Sequence, residues 1–459
     1  MLTKRRKLGY ASGIVSESVL YNMFYTYFLV FLTDVVGINP ALAGTISMLS
    51  IIWDGITDPF IGYITDKKDV DKRKVMKFSI LPMAIFFIIA FTSFNITSSA
   101  KSVYYLVGAI LFWIAYTTYT IPYYAICAEI TADYDERTNI RGLSSFINAF
   151  AIFIGAAAPV VLVGVFTSLN ASVQTGWMLS AIVVAIIAVV FGYIAYHSTK
   201  NLTLIKSEKT DDKNVFKTYL EIIKIKPFKY LLAFVVLFMV QNALGQANLM
   251  FLISHRLLAD ADAYMPIALG SIVLGMVLFV PLTMKISTVK DRRFAVILLL
   301  SISTLGMASF NIFGITNVVS LVVMLLFYAL GLAVFWTTFY SFTYDIAEID
   351  EMKNGRRRVG AITSLPQFLQ KVGAAVGMQI LGLVLYFYGY NAALPAQSLH
   401  TAMGIERIIT VICPIVMAIS IFFMILYPVT KEKYNALKTA LEQKKNGEDY
   451  TTEGLEKLL

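Results

Sequence analysis

Long apolar runs separated by short polar breaks organise the chain. Runs of the length that crosses a bilayer, about 20 residues each, fall at about 8–32, 41–64, 77–96, 102–126, 141–166, 177–197, 229–255, 264–285, 294–314, 317–344, 360–388 and 401–428. Twelve membrane helices are therefore expected. The first run is long, aromatic and preceded by Lys4, Arg5, Arg6 and Lys7. That differs from the short apolar stretch and small-residue cleavage site of a secretory leader, so it reads as a retained helix. A polar stretch divides the series. Residues 1–197 form a first six-helix bundle, 198–228 a linker, 229–428 a second six-helix bundle and 429–459 a charged, helix-forming tail.

Composition agrees with an all-α polytopic membrane protein: 58% of the 459 residues are apolar and 15% charged, too few charges for a soluble surface. The net charge of +9 would suit nucleic acid, but the basic residues sit in alternate loops. One set comprises the N-terminal tail, 65–77, Arg137 with Arg141, the linker, 285–293, 353–358 and the C-terminal tail; the other set holds only Lys101 and Arg256. By the positive-inside rule both termini and the linker are cytoplasmic. The charge reports topology, and no nucleic-acid partner is expected. Cys127 and Cys413 are isolated in apolar segments and read as small packing residues. His197, His255 and His400 are scattered at helix ends with no catalytic, metal or nucleotide motif, so no enzyme and no cofactor are expected.

The second run carries Asp54 and Asp58, one helical turn apart on one face. A charge near the bilayer centre costs roughly 3 kcal/mol on insertion scales, so a carboxylate pair there calls for a neutralising Na⁺, Li⁺ or H⁺. The alternative is that both acids lie at the cytoplasmic interface or pair with basic residues. The fourth run is dense in hydroxyls and rings from Trp113 to Tyr124, and Thr117 in it can lend an oxygen to a hard cation. Glu17 in the first run suits a polar cavity wall or a solvated helix end. Gln367 and Lys371 lie in the eleventh run, and a lysine that deep in an apolar helix is expected to face a central cavity or to pair with Asp345, Glu17 or the second-helix acids. Glu406 and Arg407 open the last run and read as interfacial anchors. The loops after the fourth and tenth runs each place acids, then arginine, then a small-residue helix start, six helices apart. The loops 65–77 and 285–293 echo each other in the same way, as two parallel halves do.

Trp53-Asp-Gly-Ile-Thr-Asp-Pro-Phe-Ile-Gly62, Thr33-Asp-Val-Val-Gly, Asp135-Glu-Arg137-Thr and Gly355-Arg-Arg with Lys371 together resemble the melibiose-permease-like glycoside-pentoside-hexuronide:cation symporters. The resemblance implies the major facilitator fold, alternating access and cation-coupled sugar uptake. It assigns the cation to Asp54, Asp58, Thr57 and Thr117. It matches Tyr124, Tyr116, Trp336 and Lys371 to cavity positions, with Tyr124 or Trp336 stacking on the sugar ring. The first-helix acid and the acid before Ile-Pro that grip galactosyl hydroxyls in the melibiose permease read Ser18 and Thr120 here, with Glu17 one residue away, which argues against an α-galactoside. The acids and arginines of the cytoplasmic loops, Asp66, Arg137, Arg141, Asp345 and Arg358, are the expected gating set, whose salt bridges hold the outward-facing state and break on rocking. The expected partners are a small sugar or glycoside and membrane lipid, with a monomer as the working unit in the cell membrane. The alternative cargo is a lipid, an amphipathic drug or an organic anion, with Lys371 as counter-ion.

Overall fold

Each apolar run becomes a helix, and the breaks become caps. In the computed structural model the described residues are 3–67, 71–94, 97–130, 134–200, 202, 215–355, 358–394, 396–456 and 458. The helices are α1 (Lys4–Ala11), α2 (Ile14–Val30), α3 (Pro40–Lys67), α4 (Lys72–Ala90), α5 (Ser98–Ile130), α6 (Tyr134–Ser168), α7 (Val173–Thr199), α8 (Val215–Ile223), α9 (Lys226–Phe251), α10 (Ala261–Val289), α11 (Arg292–Phe313), α12 (Val318–Asn354), α13 (Val359–Phe387), α14 (Leu399–Arg407), α15 (Cys413–Leu426) and α16 (Lys431–Asn446). Wider π turns extend α2 through Phe31–Val35 and α9 through Leu252–Arg256, and join α14 to α15 through Ile408–Ile412. Among the described residues this makes twelve long rods, with α8 and α16 as short additions and α1 running into α2. Ten rods are long and apolar enough to cross a membrane. Of the other two, α3 holds Asp54 and Asp58, and α4 opens on Lys72, Arg73, Lys74 and Lys77.

Contacts divide the chain into two compact units. The first holds Met1–Thr210, Gln246–Leu269 and Met378–Gly404; the second holds Asp211–Gly245, Gly270–Gly377 and Ile405–Leu459. The core of the first unit is aromatic: Phe24 stacks on Phe28 and Phe112, and Phe91 meets Phe31, Phe87 and Trp177. Hydroxyls bind the α1–α2 break to α5, with Tyr119 donating to Gly13 O (3.0 Å) and Tyr123 to Tyr10 O (3.2 Å). The ends of α9 and α13 that belong to this unit pack on the first helices. Gln246 donates to Thr26 Oγ1 at 3.0 Å. Gly44 on α3 and Gly382 on α13 meet so closely that a Cβ on Gly382 would lie 2.4 Å from Pro40 O.

The second unit uses the same device. Gly373 and Gly377 of α13 face α9, and a Cβ on either would meet Val236 O at 2.5 Å or Val240 O at 2.7 Å. Small residues four apart let backbones approach where lipid supplies no hydrophobic drive for helix association. Phe238 and Phe335 stack in parallel at 4.0 Å between α9 and α12.

The loop echo has a structural counterpart inside each unit. Asp71 caps α4 by accepting from Arg73 N (3.0 Å), and Asp291 caps α11 by accepting from Arg293 N (2.6 Å). The Arg73 guanidinium donates to Thr199 O (3.2 Å) and Leu202 O (2.5 Å) at the end of α7. The Arg293 guanidinium donates to Met424 O (3.2 Å) and Ile425 O (2.5 Å) at the end of α15. A guanidinium on terminal carbonyls satisfies orphan acceptors and opposes the negative end of the helix dipole.

Two expectations change. Read from its apolar run, the tenth membrane helix ends at Asp345, but α12 continues to Asn354, because Ile346, Ile349 and Met352 keep a buried stripe while the acids on the same stretch find cations. Glu406 is not an interfacial anchor: it is buried, and its Oε1 accepts from Ile315 N at 2.5 Å, serving a backbone donor in the turn between α11 and α12.

Candidate cation and substrate site

α3 presents its two acids to α5. Asp54 is 1% exposed and Asp58 half-buried. Thr117, with no exposed surface, brings its hydroxyl 2.8 Å from Asp54 Oδ1 and 3.1 Å from Asp58 Oδ1. Thr57 donates to Asp54 O at 3.0 Å and lies 3.4 Å from Thr117 Oγ1. The four residues assigned to the cation thus meet in one all-oxygen cluster. A hydroxyl has a single proton to give, so it cannot hydrogen-bond both carboxylates at once. Two carboxylates and two hydroxyls make an all-oxygen donor set, the kind that suits a proton or a hard monovalent cation. Among the described residues no group of three or more His, Cys, Asp or Glu forms a further metal cluster.

Beside this cluster lies a polar wall. Tyr124 donates to Glu17 Oε1 at 2.5 Å, and Glu17 is 8% exposed, so this acid is not a solvated helix end. Ser18 Oγ donates to Asn148 Oδ1 at 2.5 Å, and Asn22 Nδ2 to Ser18 O at 2.8 Å. Tyr116 packs edge-on against Trp113 with centroids 5.2 Å apart, and stands within electrostatic reach of Glu17, Tyr124, Tyr21 and Asp54. Thr120 donates to Thr117 O at 3.4 Å. Within the first unit, then, Thr120 and Tyr116 lie beside the carboxylate pair, Tyr124 is tied to Glu17, and Ser18 to Asn148. Asn148, in the apolar part of α6, is the partner of Ser18 and was not singled out from the sequence.

Trp336, Gln367 and Lys371 lie in the second unit. Trp336 is 40% exposed and edge-on to Phe335. Gln367 and Lys371 are one turn apart on α13, the first exposed and the second half-buried.

The gating set resolves in part. Asp345 pairs with Arg292 at 2.8 Å, so its cation comes from the start of α11. Arg358 holds Asp350 at 2.6 Å and Glu221 of α8 at 2.7 Å. Both networks are internal to the second unit, and Arg292, Asp350 and Glu221 in them were not foreseen. The side chains of Asp66, Arg137 and Arg141 lie outside the described residues. A cavity of about 730 Å³ in the second unit adjoins Asp345 and Arg292. Its charged groups have partners: Arg292 serves Asp345, Asp291 accepts from the backbone N–H of Arg293 and of Lys431, and Lys431 Nζ donates to Thr288 O at 2.8 Å.

Apolar rods around a buried and a half-buried acid one turn apart, with hydroxyls and aromatic rings nearby, define a multi-pass membrane transporter of the major facilitator fold. The family described as MFS/sugar transport protein matches residues 9–431, and the chain belongs to it. It is 24% identical over 459 residues to a putative glycoside/cation symporter, YagG, of Escherichia coli, covering 96% of this chain and 95% of that one. It is 25% identical over 413 residues to the isoprimeverose transporter of Lactiplantibacillus pentosus, covering 87% and 84%. These relatives are transporters, and the chain is a transporter, not an enzyme. The fold matches a bacterial homolog of the human lysosomal transporter Spinster, crystallised inward-facing and unoccupied, with TM-score 0.70, 12% identity and coverage of 93% and 98%.

Proposed function

We propose that the protein is a cation-coupled symporter that carries a sugar or glycoside across the cell membrane by alternating access. Two six-helix halves, 1–197 and 229–428, do this as a monomer, with both termini cytoplasmic. Asp54, Asp58, Thr57 and Thr117 bind Na⁺, Li⁺ or H⁺, and the sugar packs on Tyr124 with Glu17, Ser18, Tyr116 and Thr120 around it. Trp336, Gln367 and Lys371 of the second half are proposed as substrate residues as well.

The observation that carries this reading is the Thr117 hydroxyl within reach of two carboxylates, on the same unit as the Tyr124–Glu17 hydrogen bond. Empty, the two acids repel and resist burial; loaded, they are neutral enough for α3 to pack against α5. If cargo binds better to the loaded form, linkage makes the cation bind better to the cargo-bound form, which is symport. The names of the two relatives, a glycoside/cation symporter and an isoprimeverose transporter, support the same cargo class.

The test is uptake of labelled glycosides and pentose-containing disaccharides into vesicles under imposed Na⁺, Li⁺ or pH gradients. Asp58→Asn is expected to abolish uphill accumulation while downhill exchange survives. Full gradient-driven accumulation by both Asp54→Asn and Asp58→Asn would sink the cation assignment. Uptake of lysolipids or organic anions with no glycoside uptake would sink the cargo assignment.

A further inference from the structure

At the end of the first unit away from the basic loops, three residues from distant parts of the chain meet. Asp34 comes from the π turn after α2, His255 from the π turn after α9, and Tyr390 from the segment after α13. Tyr390 Oη donates to Asp34 Oδ1 at 2.8 Å and lies 2.8 Å from His255 Nε2. Thr33 Oγ1 donates to the same Asp34 oxygen at 2.6 Å, and His255 Nε2 stands 3.4 Å from Asp34 Oδ2. The His255 ring meets Tyr390 nearly edge-on at 5.1 Å and lies tilted at 6.3 Å from Phe251.

The proton order follows from these contacts. Tyr390 has one proton and spends it on Asp34, so its oxygen must accept from His255 Nε2–H. That leaves Nδ1 to gain or lose a proton, and imidazole is the side chain that ordinarily changes charge between about pH 5 and 8. Burial, then the charge of Asp34, pushes the Tyr390 phenol above its usual range, so the relay keeps its hydroxyl proton throughout. Neutral His255 gives a hydrogen-bonded chain; charged His255 adds an ion pair to Asp34 across the same joint. The other charged groups at this end are Arg256 beside His255, Lys101 of α5 donating to Val36 O at 2.9 Å, Asp260 before α10, and Asp262 at the head of α10 against Gly164 of α6.

We propose that Asp34, His255 and Tyr390 form a second proton-binding site, separate from Asp54 and Asp58, at which a proton taken up by His255 fastens the ends of α9 and α13 to α2. It sits where the Gly44–Gly382 crossing and the Gln246–Thr26 hydrogen bond already join the same helices, so it acts on a seam and not on an isolated loop. With the topology proposed above, this end faces outside, and external acid holds the outer seam closed. The proton is thereby a regulator of opening as well as a candidate coupling ion.

The test places spin labels at Asn39→Cys and Ala393→Cys in full-length protein with Cys127 and Cys413 replaced. Distance distributions are read in nanodiscs at pH 5.5 and 8.0 without substrate or Na⁺. The short-distance population should be about three-fold larger relative to the long one at pH 5.5, the response of a partly exposed ion pair. His255→Gln, which keeps a hydrogen-bonding amide, should lose that step, as should Asp34→Asn. His255→Lys, with its charge fixed, should hold the acid-like distribution at both pH values. Any pH response that arises at Asp54 and Asp58 persists in His255→Gln and is subtracted by it. An equal pH step in the parent and in His255→Gln, or no step in the parent, overturns the proposal. Because the readout needs no transport, it stands or falls separately from the symport reading.

Discussion

At Thr117 one hydroxyl reaches both acids of α3 from α5. Thr117→Val keeps the shape and removes the oxygen. A hydrogen bond to a charged group contributes about 1.5–3 kcal/mol, so the half-saturating cation concentration should rise at least ten-fold while cation-free sugar binding changes little; an unchanged cation dependence would remove Thr117 from the site. Tyr124 separates two contributions in the same way. Tyr124→Phe loses only the donor to Glu17 Oε1, whereas Tyr124→Ala loses the ring face as well. Sugar affinity should therefore fall far more for Ala than for Phe, and equal losses would speak against stacking. Asp54 and Asp58 could be picked out in the sequence because helical geometry fixes what lies four residues on. Asn148 and the Asp34–His255–Tyr390 cluster could not, since their partners stand 130, 221 and 356 residues away and only tertiary packing brings them together.

At the scale of elements, apolar length located the rods well but not their ends. α12 outruns its apolar stretch because Asp345 and Asp350 are matched by Arg292 and Arg358, so acids that looked like a loop sit on a helix. The α9–α13 crossing allows a direct test of packing. Gly377→Leu must push α13 off Val240 O and Ala243, and overpacking of this kind typically costs about 1–3 kcal/mol. Thermal unfolding in detergent should shift down by several degrees, on the order expected for such a loss. Gly270→Ala on α10, where an added Cβ meets nothing within 4 Å, should leave the transition in place. A similar shift for both would mean that the close approach is not what Gly377 serves.

For the whole molecule, the alternation of basic loops predicts sidedness. Reporter domains fused after Arg141, Lys213 and Lys290 should all read inside and one fused after Ala393 outside; an outside signal from any of the first three would reverse or break the topology. The repeat of loops six helices apart was visible as composition, but its meaning is not. Only the structure reveals Arg73 and Arg293 each reaching the carbonyl end of a helix about 130 residues further along. That reach sets an order in time. Arg73 leaves the ribosome long before Thr199 and Leu202 exist, so the turn before α4 waits for the end of α7, and the turn before α11 waits likewise for the end of α15. The Arg73 clasp thus closes only once the end of α7 is made and the Arg293 clasp only once the end of α15 is, and a chain arrested before either has the helices but not yet that clasp.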